Sequence, residues 1–123
     1  MKILLIEDHV PVASVLRDAL LEEGHSVVVA HSGEEGLQAL AREYPDAVFL
    51  DVGLPGMNGV AVLRAIRDRD PDLPVIVLSG HATSADIDQL KGLGVQEVIR
   101  KPETLSRFTD ALSRLSPQRP GTD

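Results

Sequence analysis

The sequence predicts an α/β domain, a parallel five-stranded sheet with helices on both faces. Two observations carry this. Short aliphatic runs alternate strictly with segments of helical period, five of each, the pattern of a parallel sheet joined by crossover helices. Crossovers between such strands are right-handed, which favours a doubly wound sheet. A third observation points to where function lies. Four of the five runs end in polar residues: Lys2–Ile6 in Glu7-Asp8, Asp46–Leu50 in Asp51, Pro74–Leu78 in Ser79, and Glu97–Arg100 in Lys101-Pro102. Parallel strands share one C-terminal edge, and ligands of open α/β sheets sit outside it.

Each element has its own local signals. Pro11 suits the first turn of a helix after the first strand, and Val12, Val15, Leu16, Ala19 and Leu20 follow one helix face. Gly24 stops that helix, and Ser26 to Ala30, with Val27-Val28-Val29, reads as the second strand. Ser32 and Glu35 form a capping box for the second helix. Its apolar face holds Leu37, Leu40 and Ala41, and it ends before Pro45. After Asp51 comes the turn-rich Gly53-Leu54-Pro55-Gly56-Met57-Asn58-Gly59. A third helix over Val60 to Arg69 turns Leu63 and Ile66 inward. A fourth runs from about Ser84 to Leu93 and stops at Gly92 and Gly94. Thr104 caps a fifth, with Leu105, Phe108, Leu112 and Leu115 on one face. Right-handed crossovers then favour the doubly wound, flavodoxin-like strand order 2-1-3-4-5. Residues 1–115 make one domain, and the polar, Pro-containing segment 116–123 reads as a disordered tail.

Composition excludes several classes. A chain of 123 residues fits one core, which an aromatic fraction of 2% makes aliphatic. No cysteine means no disulfide framework and no thiolate metal site, which suits a cytoplasmic location. The N-terminal apolar run ends at Glu7 and nothing later approaches a membrane span, so membrane insertion is not expected. With 12 basic against 19 acidic residues, a net charge of -7, and no basic stripe, direct binding to nucleic acid is disfavoured.

Glu7, Asp8 and Asp51 converging at one sheet edge would repel one another unless a cation sits among them. Hard oxygen donors in small number suit Mg²⁺ better than Zn²⁺ or a full calcium cage. Lys101 adds a second positive charge, and Ser79 a hydroxyl donor. Such a set stabilises phosphoryl transfer by position and electrostatics, and an Asp nucleophile giving an aspartyl phosphate is a covalent route to it. The histidines carry no metal-ligand spacing: His25 and His31 flank the second strand, placed away from the site, while His9 and His81 stand where they could rim it, with His9 read first as a solvated loop residue.

At these residues the chain closely resembles the receiver domain of bacterial two-component response regulators. The matching pieces are Ile3-Leu4-Leu5-Ile6-Glu7-Asp8, Asp51 through Gly59, Leu78-Ser79-Gly80 and Lys101-Pro102. The resemblance implies that Asp51 is the phosphoacceptor. It implies that Asp8 binds Mg²⁺ directly and Glu7 largely through water, with the Gly53 carbonyl as a further metal ligand. Ser79 becomes the switch hydroxyl and Lys101 the phosphoryl contact, followed by a cis bond to Pro102. The implied donor is a histidine kinase or histidine phosphotransfer protein, and the implied output is the face made by the fourth helix, fifth strand and fifth helix. Such a domain is no enzyme beyond its own phosphorylation and dephosphorylation. The sequence departs from the family at Val98, where an aromatic is usual, and at Glu103, which replaces a common Phe. A second reading keeps the fold as a protein-interaction module independent of phosphorylation. Val98 favours it mildly, and the intact set Glu7, Asp8, Asp51, Ser79 and Lys101 opposes it.

Overall fold

The computed structural model of the chain describes residues 1–52, 59–79, 84–95 and 97–100. Elements alternate as β1 (Lys2–Ile6), α1 (Val10–Glu22), β2 (Ser26–Ala30), α2 (Gly33–Glu43), β3 (Ala47–Asp51), α3 (Gly59–Arg69), β4 (Val75–Ser79), α4 (Ser84–Gly92) and β5 (Glu97–Arg100). The sheet is parallel in the order β2-β1-β3-β4-β5, as the sequence implies. The expected fifth helix, the Lys101-Pro102 bond and the 116–123 tail lie outside the described residues.

Alternation along the strands divides the core into two layers. Ile3, Leu5, Ala47, Phe49, Ile76, Leu78 and Ile99 face α1, where Ala13, Leu16 and Leu20 cover them. Leu4, Ile6, Val48, Leu50, Val75 and Val77 face the other way, against Ala39 and Leu40 of α2, Val62, Leu63 and Ile66 of α3, and Leu90 of α4. Every residue of β3 and β4 is buried, whereas the edge strand β2 is only partly covered. Each buried Leu or Ile contributes about 1.5–3 kcal/mol by leaving water, so the most aliphatic runs occupy the centre. Val98 of β5 is half-buried against the layer that contains Leu90.

Asp51 and Ser79 are the last residues of β3 and β4, and they pair in the ladder with Leu78 and Arg100. Two local expectations are corrected. On α1 the inward position is taken by Ala13, while Val15 is 48% exposed; a small residue lets the helix lie close to the sheet. The α2 capping box is modified. Ser32 Oγ accepts from the Glu35 N–H at 3.1 Å, but Glu35 Oε2 accepts from the N–H of His31, one residue before the cap, at 2.9 Å.

Two contacts fix how the helices meet the sheet. A Cβ on Gly59, the first residue of α3, would run into the Cα of Val52 and lie 2.7 Å from its Cβ. Only glycine lets α3 begin that close to the end of β3. At the far end of α3, Arg67 spreads its guanidinium over four carbonyls. Nε donates to Leu93 (2.7 Å), Nη1 to Leu73 (2.7 Å) and Asp70 (3.2 Å), and Nη2 to Gly94 (3.0 Å). This planar fork joins α3, the approach to β4 and the end of α4.

Candidate functional site

Register alone brings the carboxylates together. β1 and β3 pair through Ile6 and Leu50, so one step further Glu7 stands opposite Asp51. Both follow residues of the α1-side layer by two positions, which directs their side chains to the same face. Asp8 comes from the turn between β1 and α1. One carboxylate oxygen from each of Glu7, Asp8 and Asp51 lies within 4.8 Å of the others. Glu7 is 0% exposed and Asp51 1%, while Asp8 is half-buried on the open side. Ser79 is buried at the end of β4, the strand next to β3.

Such a cluster has a definite chemistry. Three acidic groups this close, two of them out of water, attract a small hard cation and suit it by donor type. Glu7 already uses one oxygen locally: its Oε2 accepts from the backbone N–H of His9, the residue that caps α1, at 3.1 Å. Asp51 ends a fully buried strand, so its carboxylate is held in place by the sheet. Gly53, Lys101 and His81 lie outside the described residues.

The histidines separate into two groups. His9 is exposed at the rim, as expected. His25 sits at the opposite edge, its Nδ1 3.0 Å from the Met1 amino group. Burial, and then that positive charge, hold its pKa below the ordinary imidazole range. The placement of His31 away from the site is wrong. Its Nδ1 lies 3.1 Å from the carbonyl oxygen of Glu7. The signal was present in the sequence: with β2 beside β1 and their ends aligned, the residue after β2 must neighbour the residue after β1.

Comparison with known proteins agrees with this geometry. The family model described as "Response regulator receiver domain" matches residues 3–113. Over 114 residues the chain is 40% identical to the uncharacterized transcriptional regulatory protein YkoG of Bacillus subtilis, covering 89% of this chain and 50% of that one. It is 43% identical to the transcriptional regulatory protein AfsQ1 of Streptomyces coelicolor, covering 91% and 49%. The chain thus spans about half the length of the curated relatives it matches. Among solved structures, a response regulator receiver domain protein from Clostridium thermocellum superposes with a TM-score of 0.88 at 28% identity, over 95% of this chain and 94% of that one. A CheY-like receiver domain protein from Methanospirillum hungatei shares the fold at a TM-score of 0.84 and 23% identity, over 96% and 98%. With its strand order, its acidic edge and a match spanning nearly its whole length, the chain belongs to the response regulator receiver domain family.

Proposed function

We propose that the protein is the phosphoacceptor of a two-component phosphorelay, with Asp51 receiving the phosphoryl group. The observation that carries this is the convergence of Glu7, Asp8 and Asp51 within 4.8 Å, with Asp51 fixed as the last, buried residue of a central strand. The donor is a phosphohistidine of a histidine kinase or phosphotransfer protein. A carboxylate oxygen of Asp51 forms the new bond to phosphorus as the phosphorus–nitrogen bond breaks, and the imidazole leaves with the electron pair. Hydrolysis later returns the carboxylate and inorganic phosphate.

Glu7, Asp8, Asp51 and the Gly53 carbonyl would hold Mg²⁺, which supplies charge neutralisation for the phosphoryl oxygens when bound. The Ser79 hydroxyl donates to one phosphoryl oxygen and the Lys101 ammonium to another. The signal leaves through the face of α4, β5 and the helix that follows. With Val98 in place of an aromatic, short and stiff about χ1, that face is altered through the segment between Ser79 and α4 rather than by a ring swinging at position 98. We place the protein in the cytoplasm; among the described residues no helix is long and apolar enough to cross a membrane.

Incubation with Mg²⁺ and a small phosphodonor, followed by intact mass, tests the reading. One phosphoryl adduct is expected on the wild type, lost on chelation and absent from Asp51→Asn. An adduct of undiminished yield on that variant would remove the assignment.

A further inference from the structure

The end of β2 holds the turn that presents Glu7 and Asp8. Both backbone polar groups of Glu7 are engaged there. Its N–H donates to the Ala30 carbonyl at 2.9 Å, and its carbonyl oxygen meets His31 Nδ1 at 3.1 Å. A carbonyl oxygen has no hydrogen to give, so Nδ1 carries it. His31 is itself anchored, its N–H donating to Glu35 Oε2 at 2.9 Å beside the Ser32 cap of α2. A chain of contacts therefore runs from the first turn of α2, through the imidazole, to the peptide that joins the two carboxylate residues.

We propose that His31 is a positioning residue for the acidic pair, its Nδ1–H holding the Glu7 carbonyl and thereby setting the direction in which Asp8 is presented beside Asp51. The inference rests on the metal-dependent reading above. The peptide between Glu7 and Asp8 is planar. Fixing its oxygen fixes the orientation of the whole plane, and with it the start of Asp8. The need is electrostatic. Three carboxylates within 4.8 Å push one another apart, and Asp8, on a turn rather than in a strand, has the least backbone pairing to resist. Ala30 restrains Glu7 from one side only; His31 supplies the second point. The contact the imidazole makes is with the Glu7 carbonyl, so it acts through the main chain.

The chemistry names its own substitute. The Asn side-chain nitrogen stands at the same remove from the backbone as His Nδ1 and is a donor, so His31→Asn can keep the bond that His31→Ala deletes. Three measurements on the full chain decide the matter. In the metal-free protein, nitrogen-resolved NMR of the neutral ring should find the His31 hydrogen on Nδ1. A hydrogen on Nε2 would overturn the proposal. In calorimetric titrations with Mg²⁺ alone, His31→Ala should bind about tenfold more weakly, within the range for partners that orient metal ligands, and His31→Asn within about twofold of wild type. The Mg²⁺ concentration for half-maximal phosphorylation should shift in parallel, with the rate at saturation unchanged. Wild-type affinity in His31→Ala, or equal loss in both variants, would reject the role of His31. A wild type that binds no Mg²⁺ would instead reject the metal-dependent reading, while the position of the ring hydrogen still reports on His31 by itself.

Discussion

Replacing Gly59 by Ala adds one methyl group, and the structure says where it must go. The new Cβ would meet Val52 at its Cα and lie 2.7 Å from its Cβ and 2.8 Å from its Cγ1. Carbon atoms in contact prefer about 3.5–4.0 Å, so α3 must retreat from β3 by roughly 1 Å. Val52 cannot give way easily: one of the clashing atoms is backbone, and a β-branched side chain is stiff about χ1. Overpacking of this kind costs about 1–3 kcal/mol, and the helix preference of Ala over Gly returns at most about 1 kcal/mol. Net destabilisation of about 1–2 kcal/mol should lower Tm by roughly 3–10 °C for a chain of this length. Gly92 is the matched control. A Cβ there meets nothing within 4 Å, so Gly92→Ala should be neutral or stabilising by up to about 1 kcal/mol. Gly36→Ala falls between them, because its Cβ would press on the end of the Ile6 side chain at 2.5 Å. Thermal and urea unfolding of the three variants checks the order. Since Val52 adjoins Asp51, Gly59→Ala should also slow phosphorylation from a small donor. If Gly59→Ala is as stable as Gly92→Ala, the close approach of α3 to β3 is not what this glycine serves.

Relief of carboxylate repulsion should raise the metal-free Tm of Asp51→Asn by a few degrees, about 1 kcal/mol, while Mg²⁺ should stabilise the wild type more than the variant; a variant melting at or below wild type without metal contradicts this. His25 has a pKa held below its unfolded value of 6.5, mainly by burial, so below pH 6.5 the unfolded chain binds more protons. Stability should therefore fall as pH drops from 6.5 toward the lowered folded value, and His25→Gln should flatten that part of the profile when the two proteins are unfolded side by side. Arg67→Lys keeps the charge but cannot reach four carbonyls at once; a loss of about 1–3 kcal/mol in urea unfolding is expected, and a loss near zero would mean that water replaces the guanidinium at no cost.

What could be read from the chain alone is what depends on runs of residues. The aliphatic strands, the Ser32 cap and the order of the sheet follow from composition, period and the handedness of crossovers. What could not be read depends on neighbours distant in sequence. The run that ends at Asp51 is plain from hydropathy, but not which residue stands opposite that end: it is Leu78. Val15 is as apolar as any core residue, but the stripe on α1 centres on Leu16 and Leu20, and Ala13 fits the narrow side of that contact. Glu7, Asp8 and Asp51 were legible as a site because strand ends must share an edge. His31 reads as lying away from the site although the same rule applies to it, since a histidine beside an edge strand carries no motif.

The four bonds of Arg67 constrain the mechanics of α4. Two of them hold the carbonyls of Leu93 and Gly94 just beyond the end of that helix. Sliding α4 along its own axis would break both, and with them the tie to α3. Tilting it about its last turn would break neither, and Gly94, at a φ of 77°, already marks a sharp change of direction there. The helix is thus a lever with its fulcrum at the end remote from Ser79. A displacement of an ångström where β4 leads into α4 would be carried along nine residues as a rotation. It would be greatest at the end nearest Asp51 and smallest at Arg67.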